Sequence, residues 1–254
     1  MRVTIAQISP KLKKITPLEF VNYLSKVDPN TQLVIFPELA LNGYLLKDAV
    51  FEDAYTLEKM EQFAALATPY DLVFGAVIKE NHKFYNSAVY CESGKIKQIH
   101  HKTALPNYGL FQEARFFFKG TPSAAFETKF GKTFVAICEE LYDAKTIAEI
   151  VEQKPDLVIV ISNSPARGFS DEGLLIQKQW DALLGTTALL SGANVIFTNR
   201  VGFEDGLGFW GGSCFVSPKG VVEHRAPLFE EAFLMMQINT KLSQTQKYLL
   251  RGYE

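Results

Sequence analysis

Three residues far apart in this chain carry side chains that together suit the cleavage of an amide bond: Glu38, Lys102 and Cys138. Each ends an expected strand. Glu38 follows Leu33-Val34-Ile35-Phe36-Pro37, Lys102 follows Ile99-His100-His101, and Cys138 follows Thr133-Phe134-Val135-Ala136-Ile137. A cysteine attacks a carbonyl carbon best as its thiolate, and a neighbouring ammonium favours that form. A carboxylate within reach can take the thiol proton and pass it to the leaving nitrogen. The lysine can hold the negative charge that develops on oxygen, as can the backbone N–H of Glu139 if the chain turns into a helix at Cys138. Water then opens the thioester, with Glu38 again as base. Taken singly, each residue has a plain structural reading: a satisfied strand-end carboxylate, a solvated lysine, a small thiol in the core. Taken together they fall at the C-terminal ends of predicted strands, where open α/β sheets gather their ligands.

The elements that must position these residues can be read from hydrophobic periodicity. Strands are expected at residues 3–7, 33–36, 72–79, 85–92, 95–101, 157–161, 194–198, 213–217 and 233–238. A hairpin is expected from 121–126 and 133–138 around a turn at 129–132. Helices are expected at 15–27, 56–67, 143–153 and 172–191. Residues 103–120 read as a long aromatic-rich loop, 162–170 as a polar loop, and 202–212 as a Gly-rich loop. Helices alternating with continuous apolar strands predict an α/β protein whose sheets are covered by helices. Gln32-Leu33-Val34-Ile35-Phe36-Pro37 and Asp156-Leu157-Val158-Ile159-Val160-Ile161 are similar strand entries, which hints at two comparable halves. Buried strands of ordinary composition would give the same echo. No linker or low-complexity segment divides the chain, so residues 1–254 are expected to form a single domain.

Composition removes several classes of function. A formal net charge of -2, from 26 basic and 28 acidic residues, makes no basic field, and no nucleic-acid partner is expected. The three cysteines, Cys91, Cys138 and Cys214, are too few and too widely spaced for a disulfide framework or a zinc site. No His-x-x-x-His pair occurs among the four histidines, and no metal or cofactor is expected. No apolar run reaches the roughly 18 residues of a membrane span, and the first ten residues lack a signal-peptide core. The expectation is a cytoplasmic protein without a membrane partner. The Gly-rich stretch lacks the spacing of a phosphate-binding loop.

Four blocks, in order along nearly the whole chain, resemble the nitrilase or carbon–nitrogen hydrolase superfamily. They are Phe36-Pro37-Glu38 with Asn42-Gly43-Tyr44, then His101-Lys102-Thr103-Ala104-Leu105-Pro106, then Ala136-Ile137-Cys138-Glu139. The last is Asn199-Arg200-Val201-Gly202, continuing through Phe209-Trp210-Gly211-Gly212-Ser213 to Pro218-Lys219-Gly220. The resemblance implies a four-layer α-β-β-α sandwich and a catalytic triad on Glu38, Lys102 and Cys138. It also implies a further glutamate that orients the lysine or the substrate, best matched by Glu113. Relatives commonly dimerise through helical faces. The leucine-rich helix at 172–191 is therefore the expected seam of a homodimer or higher homo-oligomer.

Within that family, three segments resemble the glutaminase domains of glutamine-dependent NAD synthetases. These are the run from Lys102 to Glu113, Ile137-Cys138-Glu139-Glu140-Leu141-Tyr142, and Val201-Gly202-Phe203-Glu204-Asp205-Gly206-Leu207. The 254 residues contain no Ser-Gly-Gly-x-Asp loop of the kind that marks the partner ligase domain. The expectation is therefore a free-standing amidase, or a separately encoded glutaminase-like subunit, acting on a small amide through a thioester. Two alternatives stay open: an N-carbamoyl amino acid or ω-amide hydrolase, and a non-catalytic or partner-gated subunit. Glu139-Glu140 departs from the Trp-Glu of nitrile-hydrolysing members, and no arginine-rich stretch follows. The expected pocket wall is Tyr44, Tyr108, Phe111, Ser164 and Trp210. Glu139 or Glu140 would stand near a substrate amino group, Arg167 or Arg200 near a carboxylate, and residues 162–166 would offer backbone acceptors.

Overall fold

The central strands are apolar on both faces because both faces are buried. In the computed structural model, which describes residues 1–44 and 47–239, the chain runs β1 (Arg2–Gln7), α1 (Pro17–Leu24), β2 (Leu33–Ile35), α2 (Val50–Asp53), α3 (Leu57–Ala64), β3 (Asp71–Glu80), β4 (Lys83–Glu92), β5 (Lys95–His101) and α4 (Glu113–Phe116). It continues through β6 (Phe126–Thr128), β7 (Gly131–Ile137), α5 (Ala144–Gln153), β8 (Leu157–Ser162), β9 (Phe169–Ser170), β10 (Gly173–Leu174) and α6 (Leu175–Ser191). Last come β11 (Asn194–Asn199), β12 (Val201–Glu204), β13 (Leu207–Trp210), β14 (Cys214–Val216), β15 (Val222–Arg225) and β16 (Ala232–Gln237).

Two six-stranded sheets result, ordered β16-β1-β2-β3-β4-β5 and β15-β14-β11-β8-β7-β6. The side-chain period of two sorts each strand between two cores. Leu33 and Ile35 join Leu157, Ile159, Ile161, Val135 and Ile137 in a core between the sheets. The alternate residues Val34 and Phe36 face Phe20, Met60 and Phe63 of the helical layer outside the first sheet. Val158, Val160, Phe134 and Ala136 face Ile150, Trp180 and Leu184 outside the second. The layers are therefore α-β-β-α. The similar strand entries belong to β2 and β8, each flanked by two parallel neighbours at the centre of its sheet.

Local chemistry sets the element ends. Thr16 caps α1 in a reciprocal capping box with Glu19, and Pro17 opens the helix where its missing N–H costs nothing. Helix α6 ends at Gly192 in the left-handed conformation. The stretch expected as a Gly-rich loop is instead the hairpin β12–β13. Asp205 and Gly206 turn it with positive φ of 48° and 82°, as a two-residue hairpin of opposite-handed turn requires. Strand β15 was not foreseen: it is a short polar strand at an edge of the second sheet. Among the described residues no helix is long and apolar enough to cross a membrane.

Two glycines let other segments approach the backbone at the expected catalytic residues. A Cβ on Gly75 of β3 would lie 2.2 Å from Leu39 N and 2.6 Å from Glu38 Cα. A Cβ on Gly120 would lie 2.0 Å from the carbonyl oxygen of His101, beside Lys102. Neither clash can be relieved by rotating a side chain. Gly75→Ala is expected to cost about 1–3 kcal/mol through overpacking, read as a lower urea midpoint with an unchanged slope. An unchanged midpoint would show that β3 and the Glu38 segment can separate freely.

Candidate active site

The two sheets bring Glu38, Lys102 and Cys138 into one buried cluster. Glu38 follows β2, and its neighbour Leu39 sits at φ 46°. Lys102 follows β5, its backbone held by Lys102 N–H donating to Asn86 O (2.8 Å) and by Gly120 N–H donating to Lys102 O (2.9 Å). Both belong to the first sheet. Cys138 follows β7 of the second sheet and begins a 3-10 turn, Cys138–Tyr142. Its φ of 47° lies in the left-handed region that side chains other than glycine avoid. That conformation costs of order 1–3 kcal/mol and is held by the packing around it.

Lys102 is the hub. Its Nζ donates to Glu38 Oε1 (2.7 Å) and Glu113 Oε1 (2.9 Å), and Glu113 Oε2 lies 2.8 Å away. Desolvation works to lower the Lys102 pKa, but the charges of Glu113 and Glu38 outweigh it and hold the ammonium well above the ordinary lysine value. Glu38 also accepts from Asn86 Nδ2 (2.7 Å) and, through Oε2, from the backbone N–H of Asn163 (2.8 Å). Residues 162–166 thus offer this site a backbone donor, where acceptors were expected.

Glu113 opens the short helix α4 inside the aromatic-rich loop. Its Oε1 also accepts from the Tyr44 hydroxyl (2.7 Å). Burial, against the pull of Lys102, raises its pKa to about 7. Tyr44 is fixed in turn by Glu204, whose Oε1 accepts the Tyr44 N–H (2.8 Å) and whose Oε2 accepts from Arg200 Nη1 (2.8 Å). Arg200 is fully buried and packs over Phe209 at 4.2 Å. It does not face a substrate, as the sequence had allowed; it anchors the wall that carries Tyr44.

The sulfur differs from its sequence expectation. Burial raises the Cys138 pKa and Glu38 raises it further, while Lys102 and the Ser162 hydroxyl, 3.2 Å from Sγ, only partly offset them. The resting group is a thiol. The ammonium does not by itself create a thiolate, because its charge is already divided between two carboxylates.

Adjacent glutamates meet opposite fates. Glu139 accepts from the Tyr108 hydroxyl (2.9 Å) beside the sulfur. Glu140 turns inward, away from any substrate, and accepts from Thr103 N (2.6 Å), Thr103 Oγ1 (2.8 Å), Ile137 N (2.6 Å) and His100 Nε2 (2.9 Å). Desolvation alone would raise its pKa; His100 and the backbone donors lower it below the usual carboxylate value. This one carboxylate ties the residue after Lys102 to the residue before Cys138, and so pins the two sheets at the site.

A narrow cavity of about 20 Å³ opens onto Cys138. Tyr44, Tyr108, Phe111, Glu139, Asn163, Ser164 and Arg167 line it, together with Tyr142 and Trp180. Trp210, expected at the wall, lies behind Ser164 and donates to its Oγ at 3.4 Å; Trp180 Nε1 donates to the same oxygen at 2.9 Å and lines the cavity. Trp180 could not be separated from core packing in a helix read for its leucines. Ser162 and Asn163 carried one signal: polar residues directly after a fully apolar strand. Among the described residues no group of three or more His, Cys, Asp or Glu side chains suits a metal ion.

A family model described as carbon-nitrogen hydrolase matches residues 2–248. The glutamine-dependent NAD(+) synthetase of Acinetobacter baylyi is 29% identical over 257 residues, covering 97% of this chain and 46% of that protein. The chain thus spans about half the length of that relative. A carbon-nitrogen hydrolase structure from Helicobacter pylori G27 has a TM-score of 0.88 at 22% identity, covering 99% of this chain and 93% of that one. An amidase structure from Nesterenkonia sp. has a TM-score of 0.76 at 19% identity, covering 100% and 96%. Both structural likenesses bear on the fold, which is the same layered sandwich. With its sequence matched almost from end to end, the chain belongs to the carbon–nitrogen hydrolase family.

Proposed function

We propose that the protein hydrolyses the carboxamide of a small amide through a thioester on Cys138, releasing ammonia and a carboxylic acid. The observation that carries this reading is the buried Lys102 ammonium held between Glu38 and Glu113 beside a backbone-strained cysteine. As sulfur attacks the carbonyl carbon, Glu38 takes the thiol proton, which a sulfur held as a thiol requires. Lys102 has three N–H donors and directs two hydrogen bonds at carboxylates. The third, with the N–H of Glu139, meets the oxyanion. Glu38 returns the proton to nitrogen and ammonia leaves. Water then adds to the thioester with Glu38 as base, and sulfur leaves as the thiol.

The rim of the cavity supports an amino acid ω-amide such as glutamine. Glu139 and Arg167 stand on that rim with opposite charges, a match for the ammonium and carboxylate of a zwitterion. We further propose a homodimer seated on α6, where Leu175, Leu189 and Leu190 are more than half exposed, at 52%, 51% and 58%.

Ammonia release from glutamine, asparagine, short aliphatic amides and N-carbamoyl amino acids tests the reading. Cys138→Ala is expected to abolish release from every substrate the wild type accepts. Iodoacetamide, followed by peptide mass spectrometry, should label Cys138 much faster than the fully buried Cys91 and Cys214. Equal labelling of all three would sink the nucleophile assignment.

Glu113 makes a pH dependence in which stability and activity move oppositely. Its pKa rises from 4.5 to about 7 on burial. The stability it contributes is complete below the lower value and is lost as pH rises through about 7. The ionised form is the one that best holds Lys102. We expect kcat/KM to rise through about pH 7. Glu113→Gln should flatten that limb and lower kcat/KM roughly 10–100-fold; an unaltered profile in the variant would assign the limb to another group.

A further inference from the structure

Among the described residues, five buried side-chain polar atoms have no hydrogen-bond partner in the protein: Asn86 Oδ1, Glu113 Oε2, Asn163 Nδ2, Asn163 Oδ1 and Thr198 Oγ1. Four of the five belong to residues that touch Glu38 or Lys102. Asn86 donates to Glu38 through its other amide atom, and Glu113 Oε2 stands 2.8 Å from the Lys102 ammonium. Asn163 differs from both, because its entire carboxamide is unmet. A buried amide group left without partners costs about 1–3 kcal/mol, and native structures keep such groups where something other than the protein meets them.

The position of Asn163 says what that is. It is 1% exposed, it lines the cavity that opens onto Cys138, and its backbone N–H donates to Glu38 Oε2 at 2.8 Å. A side chain there lies next to the carboxylate that exchanges a proton with the leaving nitrogen. Resting on the amide-hydrolase reading above, we infer that Asn163 is a specificity-determining residue that pairs with the carboxamide of the substrate. Asn163 Oδ1 accepts an N–H of the leaving nitrogen, and Nδ2 donates to the carbonyl oxygen beside Lys102. The two atoms form a donor–acceptor pair complementary to a primary amide. An ester with the same acyl group has no N–H for Oδ1. Asn163 thus selects amides over esters, a distinction the Glu38, Lys102 and Cys138 chemistry does not make by itself.

The test compares glutamine, followed by ammonia release, with glutamic acid γ-methyl ester, followed by methanol release. Asn163→Leu, which keeps the branched shape and removes both polar atoms, is run beside the smaller Asn163→Ser, so that one variant that fails to fold does not end the test. Melting temperature and the rate of Cys138 alkylation by iodoacetamide verify that the scaffold and the sulfur are intact. We expect kcat/KM on glutamine to fall roughly 10–100-fold, the equivalent of a lost buried hydrogen-bond pair, and kcat/KM on the ester, which loses only the Nδ2 contact to its carbonyl oxygen, to fall less, so that the amide-over-ester ratio drops at least about fivefold. Equal losses on both substrates, or no loss on glutamine, would overturn the role of Asn163 and leave the hydrolase reading standing. Wild-type protein silent on both compounds would overturn the ω-amide reading, and this inference with it.

Discussion

A buried ammonium with two carboxylates around it organises this molecule. Lys102 is fully enclosed, and an unpaired cation there would be untenable. Glu38 and Glu113 make it tolerable, but two carboxylates facing one ammonium leave surplus negative charge; burial first, and that surplus second, raise the pKa of Glu113 and keep the sulfur protonated. The same arrangement places a carboxylate next to a thiol. The cluster is thus poorly stabilised as a piece of core and well suited to moving a proton. Among the described residues, four of the five buried polar atoms without partners belong to residues that touch Glu38 or Lys102.

The scaffold answers to that cluster. Glu38 and Lys102 come from one sheet and Cys138 from the other, so the distance between the Glu38 carboxylate and the sulfur is set by how the sheets dock. Apolar packing between the sheets sets their spacing, but it is not directional. Direction comes from Glu140, which binds the chain on either side of the site through hydrogen bonds, and from Gly75 and Gly120, which admit backbone where a side chain would block it. A second chain of contacts, Arg200 to Glu204 to Tyr44 to Glu113, fixes the far side of the lysine.

Much of this was legible in the sequence. Strands buried on both faces leave uninterrupted apolar runs, and a charged or nucleophilic residue directly after such a run stands out. That is why Glu38 and Cys138 could be picked before any coordinates; Lys102, after the weakly alternating edge strand β5, was marked by the resemblance of His101-Lys102-Thr103-Ala104-Leu105-Pro106 to the family. The β12–β13 hairpin was missed because Gly202, Gly206 and Gly208 interrupt its alternation, although Asp205-Gly206 is a hairpin signal in its own right. Strand β15 was missed because an exposed edge needs no apolar residues. Which of two adjacent glutamates turns inward depends on the path of a single 3-10 turn and on donors some 40 residues away, such as Thr103 and His100. Whether Trp180 or Trp210 reaches the cavity depends on how a helix is rotated against a sheet. Composition and spacing encode neither.

The first sheet is closed by strands from opposite ends of the chain: β1 pairs with β16 from Arg2↔Gln237 to Gln7↔Ala232, and the terminal amine of Met1 donates to Ile238 O at 2.7 Å. During synthesis, β1 therefore waits for residues 232–237 before it gains its second neighbour. Until residues 232–237 emerge, β1 offers an open row of backbone donors and acceptors to any other extended chain nearby. Loop closure over more than two hundred residues must come before that row is satisfied. Ribosome-bound chains of this protein thus carry an adhesive border that the finished molecule hides, and shortening the chain before β16 would make that border permanent.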